Sequence, residues 1–428
     1  MSMKRNFVWL LSARIISSVL MLASAMLINR SLGPESRGVF AEMQTWAQLM
    51  FVLFNLSMDT GVYSYASRVK ASRNEASGFV TTAIVSLMLA AIAGAILALI
   101  VTIWPDMVSS GTSSYLSLLI LLILLMLPSS NLLVFFQALG HMRLASVSIA
   151  LQALVSFVFV AWAYIFGFLD LKMAMIFLVA FQTVPSVAIL VAALRGGLLT
   201  AHFDFQMALG MLRAGLILHV GTVSSFLYSK ANLLMLFNYK GEAATGLFAV
   251  ALTLSLSAMI IPMTAQQVLY PRVLHADDDM QVTMRVCSVA LWGWGLCVIV
   301  MALLARPMIM FYAGDKYLDA VPLFQIMLVS TFFLPLSSIF APLLIKKGAF
   351  ALMSISGASL AIIGLVINNW LISDYGEYGA AVATSSVVSI GFFMLLLILK
   401  LNYKADILSA LAPPSKVEIA GLFRSIRK

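Results

Sequence analysis

The chain has 428 residues, of which 62% are hydrophobic and only 10% charged, and its mean hydropathy is +1.03. Soluble domains are about 45–50% apolar and about 25% charged, so a soluble enzyme or a nucleic-acid-binding module is excluded and a polytopic membrane protein is expected. The net charge of +9 then has to be explained by topology. The N-terminal stretch "MSMKRNFVWLLSARIISSVLMLASA" has the basic start and Ala-x-Ala ending of a signal peptide. Arg14 interrupts its apolar region and more membrane segments follow, so it is expected to be the first span. A hydrocarbon core about 30 Å thick needs roughly 20 apolar residues per helix. On that measure the apolar runs predict twelve spans, at 7–29, 38–66, 77–103, 114–139, 145–168, 173–194, 213–238, 244–270, 284–305, 320–345, 349–372 and 378–400. Cys287 and Cys297 lie ten residues apart in the ninth run, roughly 15 Å apart on a helix, so they do not bridge each other, and no metal-ligand spacing is present.

Basic residues follow cytoplasmic loops. With the N-terminus inside, 18 of the 26 Lys and Arg fall on inner segments, whereas Arg30, Arg37, Lys172, Lys240, Arg306 and Lys316 fall on outer loops. Both termini are therefore expected on the cytoplasmic side, and no nucleic-acid partner is needed to explain the charge. The two remaining basic residues, Arg14 and Lys230, lie inside predicted spans.

The sequence also repeats itself at an offset of 208 residues: Gly33 with Gly241, Gly38 with Gly246, Phe40 with Phe248, and Gly140 with Gly348. An offset spanning six helices preserves orientation. The expected fold is therefore an all-α polytopic membrane protein of about twelve helices in two six-helix lobes related by a pseudo-two-fold axis along the membrane normal. The expected organisation is an N-terminal lobe at 1–195, an inter-lobe cytoplasmic loop at 196–212, a C-terminal lobe at 213–404 and a basic cytoplasmic tail at 405–428. The tail carries Val417, Ile419, Leu422, Phe423 and Ile426 among Lys416, Arg424, Arg427 and Lys428, the pattern of either a short amphipathic helix on the inner leaflet or a solvated end.

The stretches "LGPESRGVF", "LYPRVL", "FYAGDKYLDAVPLFQIM" and "LIKKGAFALMSISGASLAIIGLVINNWLISDYGEYGAAVATSS" resemble the polysaccharide biosynthesis or O-antigen flippase (Wzx-type) family, within the superfamily of multidrug, oligosaccharidyl-lipid and polysaccharide exporters. The resemblance covers nearly the whole chain and implies a MATE-like fold. It also implies passage of an undecaprenyl-pyrophosphate-linked oligosaccharide, such as an O-antigen repeat unit, from the cytoplasmic to the periplasmic leaflet of a bacterial inner membrane. A polysaccharide polymerase and a chain-length regulator are the implied protein partners, and no cofactor or metal is implied. One departure is visible. Family members often carry an aspartate in helix 7 before "LLLG", where this sequence has Asn232 in "SKANLLML".

Charged side chains in hydrocarbon are costly and usually face a bundle interior or a wet cavity. Those here are Arg14, Glu42, Asp59 and Lys230. Advancing 100° per residue along helix 2, taken as one piece, puts Gln44, Thr45, Gln48, Asn55, Asp59 and Tyr63 on one broad face with Glu42 at its edge; helix 7 groups His219, Thr222, Ser229 and Lys230, with Asn232 farther round. Helices 1, 2 and 7 are thus expected to line a cavity. In it Arg14, Lys230 and His219 would meet the pyrophosphate, a group that suits basic side chains, and Asn55 and Asn232 would contact substrate. Asp59 and Glu42 stand as coupling groups or as ion-pair partners, Arg14 with Asp59 and Glu42 with Lys230. Pro128, Pro185, Pro262 and Pro335 fall inside spans and are expected to bend them. Two alternatives to a flippase are weighed. An ion-coupled multidrug or cation exporter would want buried acids without buried bases. A membrane enzyme would want a larger outer platform than loops of about 15 residues or fewer without histidine.

Overall fold

The computed structural model describes residues 3–72, 75–200, 202–260, 262–263 and 279–414. It is helical throughout, with no strand among the described residues. The long helices are α1 (Met3–Ser31), α2 (Pro34–Asn55), α3 (Met58–Ser72), α4 (Glu75–Ile103), α6 (Leu116–Ala138), α7 (Met142–Ile165), α8 (Leu171–Arg195), α9 (Phe205–Ala258), α10 (Asp279–Leu303), α12 (Ala320–Ile339) and α14 (Phe350–Tyr403). Shorter pieces are α5 (Ser110–Ser114), α11 (Ala305–Tyr312), α13 (Ala341–Lys346) and α15 (Ile407–Leu411).

Both α9 and α14 contain 54 residues, roughly 80 Å of helix and far more than one bilayer crossing. Each is divided by a glycine in the left-handed region, Gly241 with φ 80° and Gly376 with φ 60°, a conformation glycine adopts at little cost. The two long helices are therefore two spans each, as the sequence predicts. Pro128, Pro185 and Pro335 lie inside α6, α8 and α12.

Helix 2 departs from expectation. The predicted run at 38–66 is broken into α2 and α3 by Leu56 and Ser57, both at φ 50°. A residue with a Cβ pays roughly 1–2 kcal/mol for that region. Gly215 of α9 packs against this break so closely that a Cβ there would lie 2.5 Å from the Leu56 carbonyl oxygen and 2.7 Å from that of Ser57. The helical wheel drawn across the whole run therefore fails beyond Asn55, and Asp59 and Tyr63 project from α3 on a separate axis. Arg37, expected just before the second span, lies in the first turns of α2 and is 4% exposed. Its Nε donates to Asn29 Oδ1 at 2.7 Å and its guanidinium stands 5.4 Å from the Phe40 ring centroid.

The chain forms two compact units, the first comprising Met1–Phe226 with Gly241–Gly246 and the second Leu227–Lys240 with Leu247–Lys428. Among the described residues of the first unit, two apolar clusters stand out. One gathers Ile28, Val39, Phe40, Met43, Val160 and Phe177; the other gathers Met58, Phe79, Phe135, Phe136, Ile189 and Met211. In lipid the drive between helices is close packing rather than water release. The second cluster accordingly interlocks edge to face, with Phe135 and Phe136 centroids 6.0 Å apart at 75°. In the second unit Phe340, Phe392, Leu336, Leu343, Leu396 and Cys287 form the core. Ser288 and Trp292 of α10 bind the carbonyls of Ala412 and Leu411, which seats α15 on the bundle. The amphipathic pattern at 417–426 lies outside the described residues.

The 208-residue repeat is visible in the backbone. Gly140 (φ 96°) and Gly348 (φ 67°) end α6 and α13 in the same way. His141 N donates to Phe136 O at 2.8 Å and Ala349 N to Leu344 O at 2.9 Å, the six-to-one bond of a glycine C-cap.

Candidate functional site

Polar groups in the first unit collect around the break between α2 and α3. Asn55, 4% exposed, ends α2. Its Oδ1 accepts from Asn131 Nδ2 of α6 at 2.8 Å, and the same amide reaches Ser86 Oγ of α4 at 3.0 Å. Asn131 Oδ1 is buried and unpaired among the described residues. A second chain of amides runs between α7, α8 and α6: Gln152 Nε2 donates to Gln182 Oε1 at 2.9 Å, and Gln182 Nε2 to Ser129 Oγ at 3.3 Å. Ser57 Oγ and Thr222 Oγ1 are 2.9 Å apart. His219, one helical turn before Thr222, is half-buried, and its Nδ1 is buried with no hydrogen-bond partner among the described residues. Asp59, just past the break, lines an open recess of ≈ 390 Å³ with Thr60, Tyr63, Ser64, Val134 and Gln137. The break thus sets Asn55 in the α4–α6 amide knot, turns Asp59 into the recess beside Gln137, and ties Ser57 to Thr222, one turn from His219. Asn131, Ser86, Gln152 and Gln182 belong to these polar clusters, and single polar residues in apolar runs gave no sign of which partner each would meet.

Glu42 is 1% exposed and well satisfied. Its carboxylate accepts from the Ser109 backbone N–H at 3.1 Å, from the hydroxyls of Ser109 and Thr112 at 2.5 and 2.6 Å, and from Trp46 Nε1 at 3.3 Å. These bonds pin the short α5 to α2. Bonds to a charged acceptor are worth about 1.5–3 kcal/mol each and a buried donor left unmade costs a similar amount. Glu42→Ala is therefore expected to destabilise the protein by on the order of 3 kcal/mol, read as a fall in thermal midpoint in detergent. An unchanged midpoint would remove the structural role given to this carboxylate.

In the second unit Asn232, 1% exposed, donates through Nδ2 to Thr384 Oγ1 at 2.7 Å, and its Oδ1 is buried and unpaired among the described residues. Lys230 lies two residues before it, half-buried on α9. Tyr239 O–H donates to Asn369 Oδ1 at 2.7 Å. Arg14 lies in α1, and its side chain is outside the described residues.

The repeat glycines make a contact of their own. A Cβ on Gly38 would lie 1.9 Å from the Glu242 carbonyl oxygen, and one on Gly246 1.9 Å from the Pro34 carbonyl oxygen. Adding 208 to 34 and 38 gives 242 and 246, so the contact is reciprocal: each repeat copy presents its glycine to the other's carbonyl, as an isologous two-fold contact requires. Backbones this close leave room for hydrogen alone, the small-residue packing characteristic of membrane helices. Glu242, in the turn between the two spans of α9, has its pKa raised by burial first and by the Glu35 and Glu42 carboxylates second. Losing that charge relieves repulsion at the contact.

The sequence matches the family described as polysaccharide biosynthesis protein over residues 3–275. The chain belongs to that family. Among curated proteins none matches the sequence. Among solved structures the chain is similar to a lipid II flippase, MurJ, in an inward closed conformation, with a TM-score of 0.68 and 13% identity over 91% of this chain and 86% of that one. It is also similar to a multidrug resistance MATE family transporter in its inward-facing conformation, with TM-score 0.67, 13% identity and coverage of 91% and 96%. A eukaryotic MATE transporter matches with TM-score 0.62 and 14% identity, over 95% and 98%. At these identities the likeness establishes the fold, that of the MATE and MurJ transporters, and this polysaccharide biosynthesis family member is a multi-pass membrane protein with that fold.

Proposed function

We propose that this protein is a flippase that carries an undecaprenyl-pyrophosphate-linked oligosaccharide, the repeat unit of an O-antigen or another surface polysaccharide, from the cytoplasmic to the periplasmic leaflet of a bacterial inner membrane. Membership of the polysaccharide biosynthesis family is the observation that carries this reading, and the fold shared with a lipid II flippase supports it. The excess of basic residues on inner segments supports cytoplasmic termini. In this reading lobes at 1–195 and 213–404, joined through 196–212, rock to give alternating access, and the basic tail at 405–428 stays cytoplasmic. Arg14 and Lys230 receive the diphosphate, with His219, Asn55 and Asn232 offering hydrogen bonds along the path. Asp59 serves the path as a coupling or pairing group. Glu42, already saturated by α5, has the structural part. A polymerase and a chain-length regulator would use the delivered unit.

A second reading, an ion-coupled multidrug or cation exporter, draws on the likeness to multidrug resistance transporters. The basic groups within the spans argue against it, because they repel a cationic cargo. Deleting the gene from its host separates the two. Lipid-linked repeat units should accumulate on the cytoplasmic side while surface polysaccharide is lost. Intact polysaccharide with altered drug tolerance would overturn the flippase reading in favour of the second.

A further inference from the structure

The second unit contains a half-open groove of ≈ 200 Å³ between α9, α12, α13 and α14, walled by Tyr228, Ser337, Met353, Gly357, Leu360 and Gly391 among others. Its chemistry is that of hydrocarbon. The Ser337 hydroxyl donates to its own helix at Phe333 O (3.0 Å), and the Ser356 hydroxyl to Met353 O (2.9 Å), so neither offers its proton to a ligand. Apolar space of this kind does not hold water, and unfilled it forfeits packing on every wall. In a bilayer the available filler is a lipid chain.

The groove has a shape and a charged end. A Cβ added to Gly357 would meet nothing within 4 Å, so this wall is open, whereas one on Gly391 would lie 3.0 Å from a Leu360 methyl. Met353 and Met394 supply adaptable thioether walls, which follow an irregular chain better than branched residues do. Small residues at Ser337, Ala341, Ser356 and Gly357 leave notches that accept methyl branches. Two of its lining residues, Ala341 and Leu344, lie on α13, which ends at Lys346, and Lys346 and Lys347 are both exposed. A cationic pair beside an apolar slot suits an anionic lipid whose head group stays at the membrane surface.

We propose that this groove holds the methyl-branched polyprenyl chain of the lipid-linked substrate, with its phosphate near Lys346 and Lys347. The proposal rests on the flippase reading and adds a tail site on the second unit to it. The test uses the full-length protein in phosphatidylcholine vesicles with an undecaprenyl phosphate bearing a diazirine on an isoprene unit, and labelled peptides are mapped by mass spectrometry. Label is expected on Met353–Leu360 and on Val387–Leu395, displaced by unlabelled undecaprenyl phosphate and not by phosphatidylglycerol. Gly357→Leu, which projects into open space on a helix and should leave the thermal midpoint unchanged, is expected to cut that label at least fivefold. Met394→Phe fills the same groove from another of its lining positions and should act alike. Label confined to other segments, label indifferent to both substitutions, or displacement by phosphatidylglycerol would overturn the tail site and leave the flippase reading standing. Vesicle lipids labelled with no label anywhere on the protein would overturn both.

Discussion

Gly38→Val and Gly246→Val are each expected to destabilise the protein by at least about 3 kcal/mol, with the double variant costing clearly less than the sum of the two. The glycine Cα on each side faces a main-chain carbonyl that a Cβ would overlap at 1.9 Å. Overpacking against flexible side chains costs roughly 1–3 kcal/mol, and a backbone in a helical turn yields less readily. Because both substitutions break one shared contact, the second finds it already lost, and a coupling of about 1 kcal/mol or more is expected. Thermal midpoints of the two single variants and the double variant in detergent measure this. Additive losses would mean that the glycines act separately and that the reciprocal contact carries no energy of its own.

Lys230→Ala is expected to lower transport by about two orders of magnitude with the amount of folded protein unchanged, and Arg14→Ala to do the same. Removing one partner from a desolvated charge contact costs about 2–5 kcal/mol, which in a rate is about thirtyfold or more. Lys230→Arg keeps the positive charge and should recover most of the loss. The measurement is delivery of lipid-linked oligosaccharide across reconstituted vesicles, beside size-exclusion traces of each variant. If only the quantity of folded protein falls, these cations hold helices together and do not handle the substrate.

What could be read from the sequence follows from how local the signal is. The apolar runs announce themselves because a span needs length and hydropathy, both carried by the run itself. The repeat was visible because its anchors, Gly38 with Gly246 and Gly140 with Gly348, serve backbone geometry that side chains would obstruct. The break at Leu56 and Ser57 was invisible because neither residue favours the left-handed region, and Gly215, which packs against their carbonyls, lies 159 positions later in the chain. The same holds for Arg37, whose charge suggested a loop until Asn29 and Phe40 supplied its surroundings. Glu42 reads from the sequence as a coupling group or an ion-pair partner, and its hydroxyl donors Ser109 and Thr112 lie too far along the chain for the run around it to announce them.

The reciprocity at Gly38 and Gly246 also speaks to ancestry. A half-length precursor bearing the Gly38 surface would have met an identical copy of itself there, as a homodimer, before duplication joined two such genes end to end. Two fused copies would be free to diverge, and the equivalent positions Pro34 and Glu242 do differ. The glycines, held by the carbonyl each must admit, are the part of that inheritance least able to drift.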